Sequence, residues 1–116
     1  MDGGMLTGSA LMLDPWGVSA IYGITDPEYR GTLKIPREDL VRMVRKVAGG
    51  GLQFTAHSVG DGAVTTLLGV YEELAKELPI GATRPCLTHS NFMSPESIAK
   101  AAALGVVADI QPIWFY

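Results

Sequence analysis

The chain is poor in the residues that mark several large function classes. A single cysteine, Cys86, excludes an intramolecular disulfide. No apolar run approaches the roughly 18 residues needed to cross a bilayer, which argues against a membrane role. No block of five like charges occurs and the formal net charge is -3, so the concentrated basic face that nucleic acid requires is missing. Acidic Asp2 and the lack of a basic start do not suit a secretory leader, and the cytoplasm is the expected compartment. Charged residues make up only 18% of the chain, against about 25% in ordinary soluble domains. Histidine is equally scarce, with two in all, His57 and His89.

What is present is apolar and glycine-rich. Hydrophobic residues are 47% of 116, with 14 glycines, enough for one domain over 1–116 with a real core. Residues 1–31 show no sustained period and carry six glycines, from Gly3 to Gly31, with Pro15 and Pro27. They read as a long irregular loop with room for a short strand or hairpin. Stretches of this kind inside compact domains are usually functional or disordered. Trp16, Tyr22 and Tyr29 argue against disorder, because aromatic rings normally seek burial.

Beyond the loop, helical and strand periods alternate. Pro36, Glu38 and Asp39 suit a helix start, and Leu40, Val41, Val44, Val47 and Ala48 share one face, predicting a helix over roughly 36–48 that Gly49, Gly50 and Gly51 end. Residues 52–57 alternate apolar and polar, with Leu52, Phe54 and Ala56 on one side and Gln53, Thr55 and His57 on the other. Asp61 then reads as the N-cap of a helix over roughly 62–78, stopped by Pro79. Residues 85–89 read as a second strand. Ser94, Pro95 and Glu96 open a third helix that closes at Gly105, and 106–111 form a third strand before Pro112. Alternating strands and helices predict an α/β fold with a parallel sheet and right-handed crossovers.

Both histidines fall at the C-terminal ends of consecutive predicted strands, which should pair about 4.8 Å apart. Two imidazoles so placed can share one divalent ion, and zinc, which takes nitrogen and oxygen ligands, is a natural guest. Against this stands the plainer reading that a strand-end histidine is only hydrogen-bonded, and two ligands are too few for a tight site. The turn Ser58-Val59-Gly60-Asp61-Gly62 has the glycine content of an anion cradle but not the lysine of a P-loop. Asp61 would repel phosphate, so a tight turn with a helix cap is the preferred reading. Cys86 reads as a buried apolar residue and Arg84 as a solvated or structural charge.

Ala56-His57-Ser58-Val59-Gly60-Asp61, Leu87-Thr88-His89-Ser90-Asn91 and Asp109-Ile110-Gln111-Pro112 together resemble the amidohydrolase superfamily. They are most like its branch of N-substituted formamide deformylases and related metal-dependent hydrolases. There the fifth barrel strand ends in a histidine within an H-x-x-G-D segment, the sixth ends in another, and a Gln-Pro pair closes the seventh. Asp2-Gly3-Gly4 is similar to the segment after the fourth strand. The resemblance therefore spans essentially the whole chain. It implies a partial (β/α)8 TIM-barrel segment, with parallel strands and a long N-terminal loop, running from the end of strand four to just past strand seven.

On that resemblance, His57 and His89 are metal ligands, with zinc as the expected ion. Asp61 is a helix cap that supports the ligands from behind, and Trp16, Tyr22 and Gln111 line the substrate at the mouth where barrel enzymes keep their sites. The family's His-x-His pair, its strand-four lysine or acid and its strand-eight aspartate have no counterpart here, and none of Asp2, Asp14, Asp26 or Asp109 takes that aspartate's position. No catalytic residue is assigned, and the chain alone is expected to be inactive. The implied parent activity is hydrolysis of a C–N bond in a small-molecule amide or formamide-like substrate by metal-activated water. Open strand edges would favour self-association. The alternative is a non-enzymatic α/β module that binds a small ligand at its strand ends.

Overall fold

A computed structural model describes residues 1–115. After an irregular N-terminal segment come helix α1 (Arg37–Gly49), strand β1 (Thr55–Ser58), helix α2 (Asp61–Leu74), strand β2 (Cys86–His89), helix α3 (Pro95–Ala103) and strand β3 (Val107–Ile110), with short 3-10 turns at Ile80–Thr83 and Pro112–Phe115. The three strands form one parallel sheet in the order β1-β2-β3. The alternation of periods in the sequence therefore predicts the element order and strand direction correctly. Strands are shorter than expected, four residues each. Leu52 and Gln53 lie outside β1, and Leu52 is exposed instead of sharing the inward side with Phe54.

Helix α2 holds the fold together. Val64, Leu67, Leu68, Tyr71 and Leu74 are buried along it, where it packs against α1, α3 and β1. Helix α1 answers with Leu40, Val44 and Ala48, spaced one turn apart, and Phe54, Ile80 and Leu87 close the core beneath. Full burial of one such Leu or Val side chain contributes about 1.5–3 kcal/mol. The buried Tyr71 hydroxyl shares its one hydrogen between the carbonyls of Phe54 (3.2 Å) and Cys86 (3.1 Å), tying α2 to the starts of β1 and β2. Burial pushes this phenol well above the usual tyrosine range.

The helix ends show where local signals suffice. At α3, Ser94 caps as expected, its hydroxyl accepting from the Ser97 amide at 3.2 Å. At α2 the expectation fails, because Gly60 occupies the cap position and Asp61 is the first helical residue, with no side-chain cap. The Leu11 carbonyl accepts instead from the free amides of Gly62 (3.0 Å) and Ala63 (3.3 Å). Asp61 is left to accept from the Leu13 amide at 2.8 Å. A distant loop thus caps the helix, which no reading of neighbouring residues could show.

That loop is irregular but anchored. Isolated antiparallel bridges join Asp2 to Leu33 and Ser19 to Ile24. The Trp16 indole donates to the Ala10 carbonyl at 2.9 Å and meets Tyr22 edge-on, with ring centres 5.7 Å apart. Among the described residues, no helix is long and apolar enough to cross a membrane.

Candidate functional site

His57 lies in β1 and His89 ends β2, at the C-terminal edge of the sheet. Their rings meet edge-on, with centroids 4.7 Å apart. The pairing register alone would not bring them together. His57 is level with Thr88, and His89 is level with Ser58, so strict alternation would send the two imidazoles to opposite faces. The backbone breaks that alternation. His89 and Ser90 have φ of 78° and 49°, a left-handed conformation that costs non-glycine residues of the order of 1–3 kcal/mol and that clusters at functional sites. Ser90 fastens the bend, its hydroxyl donating to the Leu87 carbonyl at 3.1 Å while its amide donates to the Ser58 carbonyl.

Each ring is held by one nitrogen. His57 Nδ1 lies 3.0 Å from Asp2 Oδ1, and His89 Nδ1 lies 2.8 Å from Gln111 Oε1. Among the described residues, Nε2 is in both cases the nitrogen left for another partner. A histidine anchored through one nitrogen and open at the other is the usual form of a metal ligand. Two such rings fit one divalent ion as part of its donor set. Among the described residues, no group of three or more His, Cys, Asp or Glu side chains is placed to hold a metal.

Asp2 is the residue that sequence reasoning missed. Its side chain is fully buried. Oδ1 faces His57 Nδ1 and the Val59 amide (3.2 Å), and Oδ2 accepts from the amides of Gly60 (2.9 Å) and Leu11 (3.1 Å). The turn considered above as an anion cradle does hold an anion's oxygens, and the group it holds is the chain's own carboxylate. An acid set among apolar and glycine residues was the one signal available, and it says nothing about its distant partners.

The other candidates fall in different places. Asp61 bonds to Leu13 and to neither histidine. Gln111 touches His89. Trp16 and Tyr22 pair with each other inside the loop. A cleft of about 220 Å³ opens against His57 and His89, walled by Met5, Leu6, Thr7 and Val59 with Asn91. Cys86 is buried in β2, and Arg84 is exposed.

Comparison with known proteins fits this geometry. The family model described as "Amidohydrolase family" matches residues 1–116. The chain belongs to the amidohydrolase family. It is 28% identical over 111 residues to the Bacillus subtilis (strain 168) protein YtcJ, which carries an amidohydrolase name, covering 96% of this chain and 19% of that one. It is 27% identical to the Arabidopsis thaliana protein LONG AFTER FAR-RED 3, covering 97% and 18% respectively. Among solved structures, an uncharacterized metal-dependent hydrolase from Pyrococcus horikoshii OT3 superposes with a TM-score of 0.77 at 26% identity, over 97% of this amidohydrolase chain and 20% of its own. A Pyrococcus furiosus counterpart superposes equally well, also at 0.77, with 21% identity. The chain thus spans about a fifth of the length of the curated relatives it matches, and its α/β architecture corresponds to one portion of a metal-dependent hydrolase fold.

Proposed function

We propose that this chain is the part of a (β/α)8 amidohydrolase barrel that supplies two imidazole ligands, His57 and His89, to a divalent metal, with zinc favoured by the nitrogen donors. The observation that carries the reading is the convergence of the two rings at the C-terminal edge of adjacent parallel strands, each anchored at Nδ1. Barrel enzymes place their chemistry at that edge. When bound, such an ion activates water and polarises a carbonyl. The chain's own residues do the rest of what falls to this segment. Asp2 and Gln111 hold the ligand rings, and Met5, Leu6 and Val59 offer an apolar wall to a small substrate.

The reaction that suits the family is hydrolysis of a C–N bond in a non-peptide amide, with the formamide deformylase branch as the nearest model in motif order. The remaining ligands and the proton-transfer carboxylate belong, on this reading, to other barrel strands. The outer edges of the three-stranded sheet are where those strands would add.

The test is a Zn²⁺ titration of the protein against a competing chromophoric chelator, with the His57→Ala/His89→Ala double variant alongside. Binding that disappears in the double variant supports the reading. Equal binding in both proteins overturns it.

A further inference from the structure

We infer that Asp2 is a positioning residue that fixes His57 in the Nδ1–H tautomer and so keeps Nε2 as the ring's lone-pair donor. The inference deepens the metal-binding reading and rests on it for its purpose, but the tautomer itself follows from hydrogen-bond accounting. Among the described residues, every other hydrogen-bond partner of the Asp2 oxygens is a backbone amide: Val59 on Oδ1, and Gly60 and Leu11 on Oδ2. Amides can only donate, so both oxygens act as acceptors. The fourth contact, Oδ1 to His57 Nδ1 at 3.0 Å, then needs its hydrogen from the imidazole. In the neutral ring this leaves Nε2 unprotonated, the form that binds a metal.

The His89 side has no such guarantee. Its partner is a side-chain amide, Gln111, which presents an oxygen or a nitrogen according to its rotation. A carboxylate cannot turn a donor toward the ring. The three amides also prevent Asp2 from swinging away, and burial of its side chain excludes competing water. Asp2 thereby links the loop at Leu11, the turn at Val59 and Gly60, and the ligand ring through one carboxylate. An asparagine could not replace it, since one oxygen and one NH₂ cannot accept four hydrogens.

The experiment is nitrogen NMR of the protein labelled at histidine, without metal and at a pH alkaline of the ordinary histidine range of about 6.5. Only two histidines contribute. The wild type should show His57 predominantly as Nδ1–H. Asp2→Asn should move His57 toward Nε2–H and leave His89 unchanged. Asp61→Ala, which cuts a different loop-to-helix bond at Leu13, should change neither ring and so controls for loosening of the loop. Zn²⁺ affinity should fall about 10–100-fold in Asp2→Asn.

An Nε2–H ring in the wild type overturns the inference even if no variant folds. Equal tautomer shifts in Asp2→Asn and Asp61→Ala overturn it too, as does an unchanged Zn²⁺ affinity in Asp2→Asn. If the wild type binds no measurable zinc, two rings without the ligands of the other strands are too few for the ion, and the spectrum alone decides the role of Asp2.

Discussion

The buried carboxylate of Asp2 and the imidazole of His57 lie 3.0 Å apart across 55 positions of sequence. One contact joins the irregular loop to the sheet edge, and its removal gives the first prediction. Asp2→Ala leaves the amides of Val59 and Gly60 buried without an acceptor. Each such loss costs about 1–3 kcal/mol. Urea denaturation should show a loss of about 3 kcal/mol in total, and a loss near zero would mean that the loop does not dock here.

Gly60 is fixed by space. A Cβ at this position would lie 1.8 Å from the Leu11 carbonyl oxygen, and that oxygen is backbone engaged with the first turn of α2. Gly60→Ala should therefore displace the loop and cost about 2 kcal/mol or more. Its denaturation midpoint should fall with little change in slope, and faster proteolysis within residues 9–13 should accompany it.

Tyr71 gives a prediction in alkali. Its phenol titrates higher in the folded protein than in the unfolded chain because burial disfavours the phenolate. Its contribution is fully present below the ordinary tyrosine pKa of about 10 and is lost as pH rises beyond it. Tyr71→Phe removes both the hydrogen bond shared by the Phe54 and Cys86 carbonyls and this sensitivity. It should cost about 1–2 kcal/mol at neutral pH, and the difference from wild type should shrink above pH about 10, as read by thermal melts across that range.

Arg84 is exposed and holds a left-handed backbone, φ 50°. Asparagine tolerates that region better than arginine. Arg84→Asn should raise stability by about 0.5 kcal/mol, measured by chemical denaturation. A decrease would show that the arginine side chain contributes more than its backbone costs.

Strand β3 lies at one margin of the sheet, and Ile110 on it is 55% exposed. Apolar edge strands recruit further strands. Light scattering should detect concentration-dependent association, reduced by Ile110→Lys. A monomer at all concentrations would count against an adhesive edge.

The sequence by itself determined the order of elements and the parallel sheet. Those follow from local periodicity: Leu40, Val44 and Ala48 make a helical stripe wherever they are put, and Ser94 caps α3 through an amide three residues away. It also placed His57 and His89 near the C-terminal ends of β1 and β2, because strand ends can be read from the chain. Tertiary structure decided the rest. The left-handed bend at His89 and Ser90 sets which face His89 takes, and a φ value cannot be read from residue types that normally avoid it. Asp61 looks like a cap from its neighbours, yet the Leu11 carbonyl does the capping and Asp61 binds Leu13. Asp2 looks unremarkable until folding brings His57, Val59, Gly60 and Leu11 around it. In each case the deciding partner is a hydrogen-bonding group far along the chain or a backbone angle, and local patterns of hydrophobicity carry no record of either.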